Sequence, residues 1–238
     1  MALKISVCVS GQMRALEAWH TLKPYLSSQD RQTHVFLHTW HQPITERVFR
    51  FYDPKLGQWS PLVHSNEDAI ETLKPTNYLF EQNITEVVDP CRGSPPQEVT
   101  RHRVLSMWRG QQMAASLAQR HASKFGRPDV MCRTRSDLWF ESDPFKVLGE
   151  SPPPEGVVFV PEGNNGGDPE LPPTEALNDW FGFAAPETFI KFTSLYGKAC
   201  EYFKDKPTLF PEVMLKYHVD LLGLTVVRFP LSYRIHRV

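Results

Sequence analysis

A chain of 238 residues, 41% apolar and 12% aromatic, carries enough hydrophobic material for a substantial core and does not have the composition of a disordered protein. Lys plus Arg number 26 against 27 Asp plus Glu, so a net charge of −1 offers no electrostatic case for nucleic-acid binding. The four cysteines (Cys8, Cys91, Cys132 and Cys200) include no CxxC pair, which argues against a zinc ribbon and against a dense disulfide framework.

Cys8 and Cys132 lie in apolar runs and read as reduced core thiols. The N-terminus enters Leu3-Lys-Ile-Ser-Val-Cys-Val9 at once, too quickly polar for a secretory leader. No stretch approaches the roughly 20 apolar residues of a membrane span. The expected location is the cytoplasm, including the inner face of the membrane. In that setting the sequon Asn83-Ile-Thr85 is a chance match.

Ile5 to Val9 predicts a strand, followed by Ser10-Gly11-Gln12-Met-Arg14 and a helix-like stretch to about Leu26, the opening of a βαβ unit. Gly11 permits close backbone approach, and a helix N-terminus there offers free N–H groups to an anion. A plain turn glycine explains the residue equally well, and the GxGxxG dinucleotide spacing is absent. His34 to Trp40 predicts a second strand whose His38 and Trp40 line a pocket; His38 and His41 have no third ligand at metal-binding spacing. Residues 42–98 are less regular, with a short helix over Glu67–Lys74 behind the capping pair Ser65-Asn66 and a strand at Tyr78–Phe80. A long helix spans Glu98–Lys124 and is stopped by Gly126 and Pro128. Its buried stripe is Leu105, Trp108, Ala115 and Leu117, and its Ser106, Arg109, Gln112 row faces either a ligand or solvent.

The run Asp129 to Phe140 passes from apolar to charged. As a strand it sets Arg133, Arg135 and Asp137 on one face, an arrangement costly to bury without partners. Val157–Val160 predicts another strand. The Gly- and Pro-rich stretch that follows is too long for a neutral connector and reads as a flexible lid, about residues 162–176. Asn178 to Ala184 returns to β-like sequence with Asp179 near its head. Pro186-Glu187 opens a helix with the core stripe Phe189, Phe192, Tyr196, Ala199 and Phe203. Pro211-Glu212 opens another helix, closed by Gly223. Thr225–Phe229 is a final strand and Tyr233–Arg237 a basic tail. With no repeat and no linker, residues 1–238 read as a single α/β domain, Rossmann-like, with a mixed, mostly parallel central sheet flanked by helices.

Several segments recur in a familiar order: Ile-Ser-Val-Cys-Val-Ser-Gly-Gln-Met-Arg, then Val-Phe-Leu-His-Thr-Trp, then Ser106-Met-Trp, then Asp-Val-Met-Cys-Arg-Thr-Arg-Ser-Asp-Leu, then Asn-Asp-Trp-Phe-Gly-Phe and Pro-Glu-Val-Met-Leu. Across roughly residues 4–235 the chain resembles the bacterial and phage glycosyltransferase-like proteins of surface-polysaccharide (capsule and lipopolysaccharide) loci, which have a GT-A-type fold. The resemblance implies transfer of a sugar from a nucleotide-sugar donor to a glycan or lipid-linked acceptor. It implies donor contacts at Ser10, Gly11 and Arg14, with His38 and Trp40 flanking the base or ribose. The family's Asp-x-Asp motif, which holds a divalent cation on the diphosphate, is replaced here by Arg135-Ser136-Asp137.

Two readings of that replacement stay open beside the plain one, a buried Arg–Asp network that only ties strand to loop. Asp137 ligates Mg²⁺ or Mn²⁺ through water and donor phosphates, or Arg133 and Arg135 neutralise the diphosphate directly. An inverting transfer also needs a general base, for which Asp179 is the first candidate and Glu212 the second. At a helix N-terminus the dipole is expected to depress the Glu212 pKa. The alternative to an enzyme is a catalytically degenerate nucleotide- or glycan-binding protein. Transfer of sulfate or phosphate is a third class, and it lacks the GxxxxGK[ST] loop it calls for.

Overall fold

The computed structural model describes residues 2–13, 15–41, 51–53, 58–60, 64–83, 88–91, 98–149, 151–163, 175–206 and 210–235. In chain order the strands are β1 (Leu3–Ser10), β2 (Arg31–Trp40), β3 (Phe51–Asp53), β4 (Gln58–Ser60), β5 (Asn77–Glu81), β6 (Val130–Thr134), β7 (Leu138–Phe140), β8 (Val157–Pro161), β9 (Gly182–Ala184), β10 (Thr225–Phe229) and β11 (Tyr233–Ile235). The helices are α1 (Trp19–Leu26), α2 (Asn66–Leu73), α3 (Glu98–Phe125), α4 (Pro186–Phe192), α5 (Ala199–Asp205) and α6 (Pro211–Leu221).

Seven strands form one sheet in the order β10-β8-β9-β6-β1-β2-β5. Neighbours pair in parallel except β9, which runs antiparallel to both β6 and β8. The expected α/β architecture with a mixed, mostly parallel sheet is therefore present. Buried on both faces, the interior strands read as continuous apolar runs, as parallel sheets do. One face packs Cys8, Phe36, Met131 and Val158 against Leu105, Trp108 and Ala115 of α3 and Phe189 and Phe192 of α4. The other packs Val7, Leu37, Cys132 and Phe183 against Trp19 and Leu22 of α1, Leu73 of α2 and Phe140 of β7.

The capping pair ahead of α2 forms a full box: Ser65 Oγ accepts from the Asp68 N–H and Asp68 accepts from the Ser65 N–H, both at 3.0 Å. Two expectations are corrected and two features are added. No helix starts directly behind Gly11; Ala15 is left-handed at φ 45°, a 3-10 turn covers Leu16–Ala18, and α1 begins only at Trp19. The Phe189-to-Phe203 stripe spans two helices with a 3-10 turn at Ser194–Lys198 between them, although four of its five side chains are buried and Tyr196 packs against the same cluster. Within the basic tail, Tyr233–Ile235 form β11, paired antiparallel with β7. The irregular region contains an antiparallel ladder between β3 and β4.

Cys8 and Cys132 are free, and burial pushes both thiols up, out of the reactive range. Cys91 and Cys200 form a disulfide across 109 residues of chain. Among the described residues no helix is long and apolar enough to cross a membrane.

Candidate functional site

From β1 the chain winds outward through β2 to β5, and α3 then carries it back to β6 on the other side of β1. The winding reverses between the carboxyl ends of β1 and β6, the place where open α/β sheets leave a crevice for ligands. The Ser10-Gly11-Gln12 turn and the Arg135-Ser136-Asp137 turn meet there, with Ser136 Oγ donating to the Gln12 carbonyl at 3.4 Å. Gly11 sits at φ +107°, a conformation that side chains rarely adopt, so this turn requires glycine. Arg14 lies outside the described residues.

The charged run does not present three side chains on one strand face. β6 ends at Thr134, and Arg135 and Asp137 belong to the turn that follows. Arg135 forks onto Asp137, its Nε donating to Oδ1 at 2.8 Å and Nη2 to Oδ2 at 2.6 Å. Its side chain keeps 32% exposure and lies near the Trp180 ring, 5.9 Å from the centroid. Arg133 points into the layer under α3 and α4 and is 2% exposed. Its Nη1 donates to Gln111 Oε1 at 2.8 Å, its Nη2 to the Asn178 carbonyl at 3.2 Å, and its guanidinium stacks 4.3 Å over Phe192. The two arginines thus separate into one within reach of solvent and one sealed inside.

Both guanidiniums act on Asp179, which is 4% exposed and whose Oδ1 has no hydrogen-bond partner. Burial raises its pKa, and Arg133 and Arg135 pull it part of the way back. Glu212, at the start of α6, is drawn into the same group because the Leu177 N–H donates to the Glu212 carbonyl at 3.0 Å. The expected depression of its pKa by the helix terminus is overturned: burial first, then the Asp179 charge, push Glu212 up to about 7. A terminus dipole is worth up to about 1 kcal/mol at an exposed position, too little to outweigh desolvation beside another carboxylate.

Asn178 organises this corner. Its Oδ1 accepts from the Trp180 and Phe181 N–H groups at 3.0 and 3.4 Å, an Asx turn, while Nδ2 donates to the Gly163 carbonyl and to Tyr233 Oη. Sequence reasoning passed over Asn178, Gln111 and Tyr233 as site residues. The Asn-Asp pair signals the turn, but nothing local signals the contact from a strand 55 residues away.

His38 and Trp40, expected to line a pocket, lie under α3 at 0% and 3% exposure. His38 Nε2 meets Glu81 Oε2 at 3.0 Å, and Glu81 in turn receives Arg109 Nε and Nη2 at 2.8 and 2.7 Å. Arg109 Nη1 also donates to Tyr196 Oη at 3.4 Å, so this arm of the Ser106, Arg109, Gln112 row is engaged by protein groups. Burial holds the His38 pKa below its usual value despite Glu81, and on Glu81 the bonds from Arg109 and His38 outweigh burial and hold the carboxyl low. The lid expected near 162–176 falls mostly on residues outside the description.

A divalent cation needs carboxylate oxygens turned toward it. Both oxygens of Asp137 are taken by Arg135, and among the described residues no group of three or more His, Cys, Asp or Glu is placed to hold a metal. The residues as arranged do not fit a cation on Asp137 unless Arg135 leaves the fork. No known protein-family model matches the chain, and no curated protein matches it either.

Proposed function

We propose that this chain is a glycosyltransferase that moves a sugar from a nucleotide-sugar donor to a glycan or lipid-linked acceptor in surface-polysaccharide synthesis, on a GT-A-like domain. The observation that carries the reading is a buried corner in which the Leu177 N–H bond to the Glu212 carbonyl draws Glu212 toward Asp179, with Arg135 just beyond the carboxyl end of β6, the strand that borders the reversal of the sheet. The strand order on that side of the sheet, counted in chain sequence, begins 3-2-1-4 like a mononucleotide-binding half, and only the antiparallel β9 departs from full parallel winding.

In this scheme the acceptor hydroxyl oxygen bonds to the anomeric carbon as the bond from that carbon to the phosphate oxygen breaks, the electron pair leaving with the nucleoside diphosphate. Arg135 supplies positive charge to the departing phosphate, a role suited to a planar guanidinium. Asp179, with a buried oxygen free of partners, takes the acceptor proton, and Glu212, titrating near neutrality, relays it onward. No step requires a metal.

The test is a panel of UDP-, GDP- and CMP-sugars incubated with the protein, with and without Mn²⁺, reading nucleotide release. Release by the wild type that falls at least about a hundredfold in Asp179→Asn supports the assignment. No release from any donor, together with unchanged nucleotide binding in Asp137→Ala, defeats it.

A second reading, a degenerate nucleotide- or glycan-binding protein on the same fold, is favoured by the Arg135–Asp137 fork, which ties up the carboxylate standing in the Asp-x-Asp position. The cytoplasmic address is likewise a proposal. The Cys91–Cys200 disulfide weighs against it, because such bonds persist mainly in oxidising compartments. Counting free thiols in protein taken from the native cell decides the matter.

A further inference from the structure

We infer that Arg133 is a positioning residue for Asp179: an interior cation that touches no substrate and acts on that carboxylate by its charge, with no hydrogen bond or ion pair between the two. This deepens the catalytic reading of Asp179 and rests on it for its functional meaning.

Arg133 is 2% exposed and held on three sides, by Gln111 of α3, by the Phe192 ring of α4 and by the Asn178 carbonyl. An isolated buried guanidinium is too costly to keep without a counter-charge, and none of those three contacts supplies one. The carboxylate that interacts with it is Asp179, one peptide beyond the carbonyl it binds. Each group also has an unsatisfied polar atom, Nε of Arg133 and Oδ1 of Asp179. In a dry interior the pair is mutually necessary: the cation without the anion is stranded, and the anion without the cation is driven to take a proton.

The charged and titratable groups around the pair come from separate elements. Arg135 follows β6 and faces Asp179, Glu212 faces it from α6, and His218, also on α6, faces Arg133. Burial is the main reason the Arg133 pKa falls to about 10, and Asp179 opposes that fall. Arg135 also pulls the Asp179 pKa down, from the partly exposed side, so replacing Arg133 removes one of the two cations that act on Asp179.

The experiment is a carboxyl-carbon NMR titration of Asp179, assigned by its loss in Asp179→Asn, in wild type, Arg133→Met and Arg133→Lys. Arg133→Met is expected to raise the Asp179 midpoint by roughly one to three pH units, and Arg133→Lys, which keeps the charge without the fork, to return most of that change. An unchanged midpoint in folded Arg133→Met overturns the inference, as does a lysine variant that behaves like methionine. If Arg133→Met does not fold, the double variant Arg133→Met/Asp179→Asn decides. Recovery of a cooperative melting transition supports a charge pair, and failure of the double variant to fold reduces Arg133 to a packing element. The readout involves no nucleotide sugar, so a silent donor panel defeats the transferase reading without touching this result.

Discussion

Glu212→Gln keeps the shape, the helix start and the backbone bond from Leu177, and removes only the titration. The Glu212 pKa stands at about 7 against 4.5 for the ordinary side chain, raised by burial and then by Asp179. Below pH 4.5 the folded and unfolded chains both hold the proton, so stability is complete there. Between 4.5 and about 7 the unfolded chain releases it while the folded chain does not, and stability falls as pH rises through the folded value. At 1.36 kcal/mol for each tenfold change, the loss amounts to about 3 kcal/mol by pH 8. The glutamine variant escapes it, so its stability over wild type grows from near zero at pH 4.5 to about 3 kcal/mol at pH 8. Urea unfolding followed by circular dichroism at several pH values between these limits measures the difference, and titrating groups remote from this corner cancel between the two proteins. A gap that stays constant with pH refutes the placement of Glu212 beside Asp179 in a desolvated corner.

Three further outcomes are expected. Arg135→Ala should weaken nucleotide-sugar binding at least about tenfold while leaving acceptor binding near wild type, measured by calorimetry; equal losses for both ligands contradict its place at the phosphate. Cys91→Ser should lower stability by about 2–4 kcal/mol, and a dithiol reductant should destabilise wild type to the same degree while leaving the variant untouched. Gly182→Ala should cost about 1–3 kcal/mol in thermal or urea unfolding, because a Cβ there meets the Phe159 carbonyl at 3.2 Å and Phe192 and Val160 at 3.3 Å. A neutral alanine at 182 contradicts the packing of β9 against β8 and α4.

The strands and helices were legible wherever local chemistry was strong. β1, β2, β6 and β8 announce themselves as apolar runs, α2 by its Ser65 cap, α3 by its periodicity, and α4 and α6 by Pro at the first turn. The corner at 178–184 and the C-terminal strand were harder. β9 has only three residues, and β11 is a strand only because β7 is beside it. Asp179 and Glu212 were each singled out by residue type and neighbourhood, but 33 positions separate them in the chain, and no pattern in the sequence joins them.

The α/β class, the order of the main elements and the concentration of charge after β6 could all be read along the chain, because they depend on the period of apolar residues and on local turn chemistry. That Arg133 turns inward while Arg135 stays within reach of solvent, that His38 and Trp40 are sealed beneath α3, and that Glu212 titrates near neutral pH all come from the packing of distant segments. The physical reason is the same in each case. Burial and charge–charge interaction depend on which distant segments pack around a group, and those distances exist only once the chain has folded.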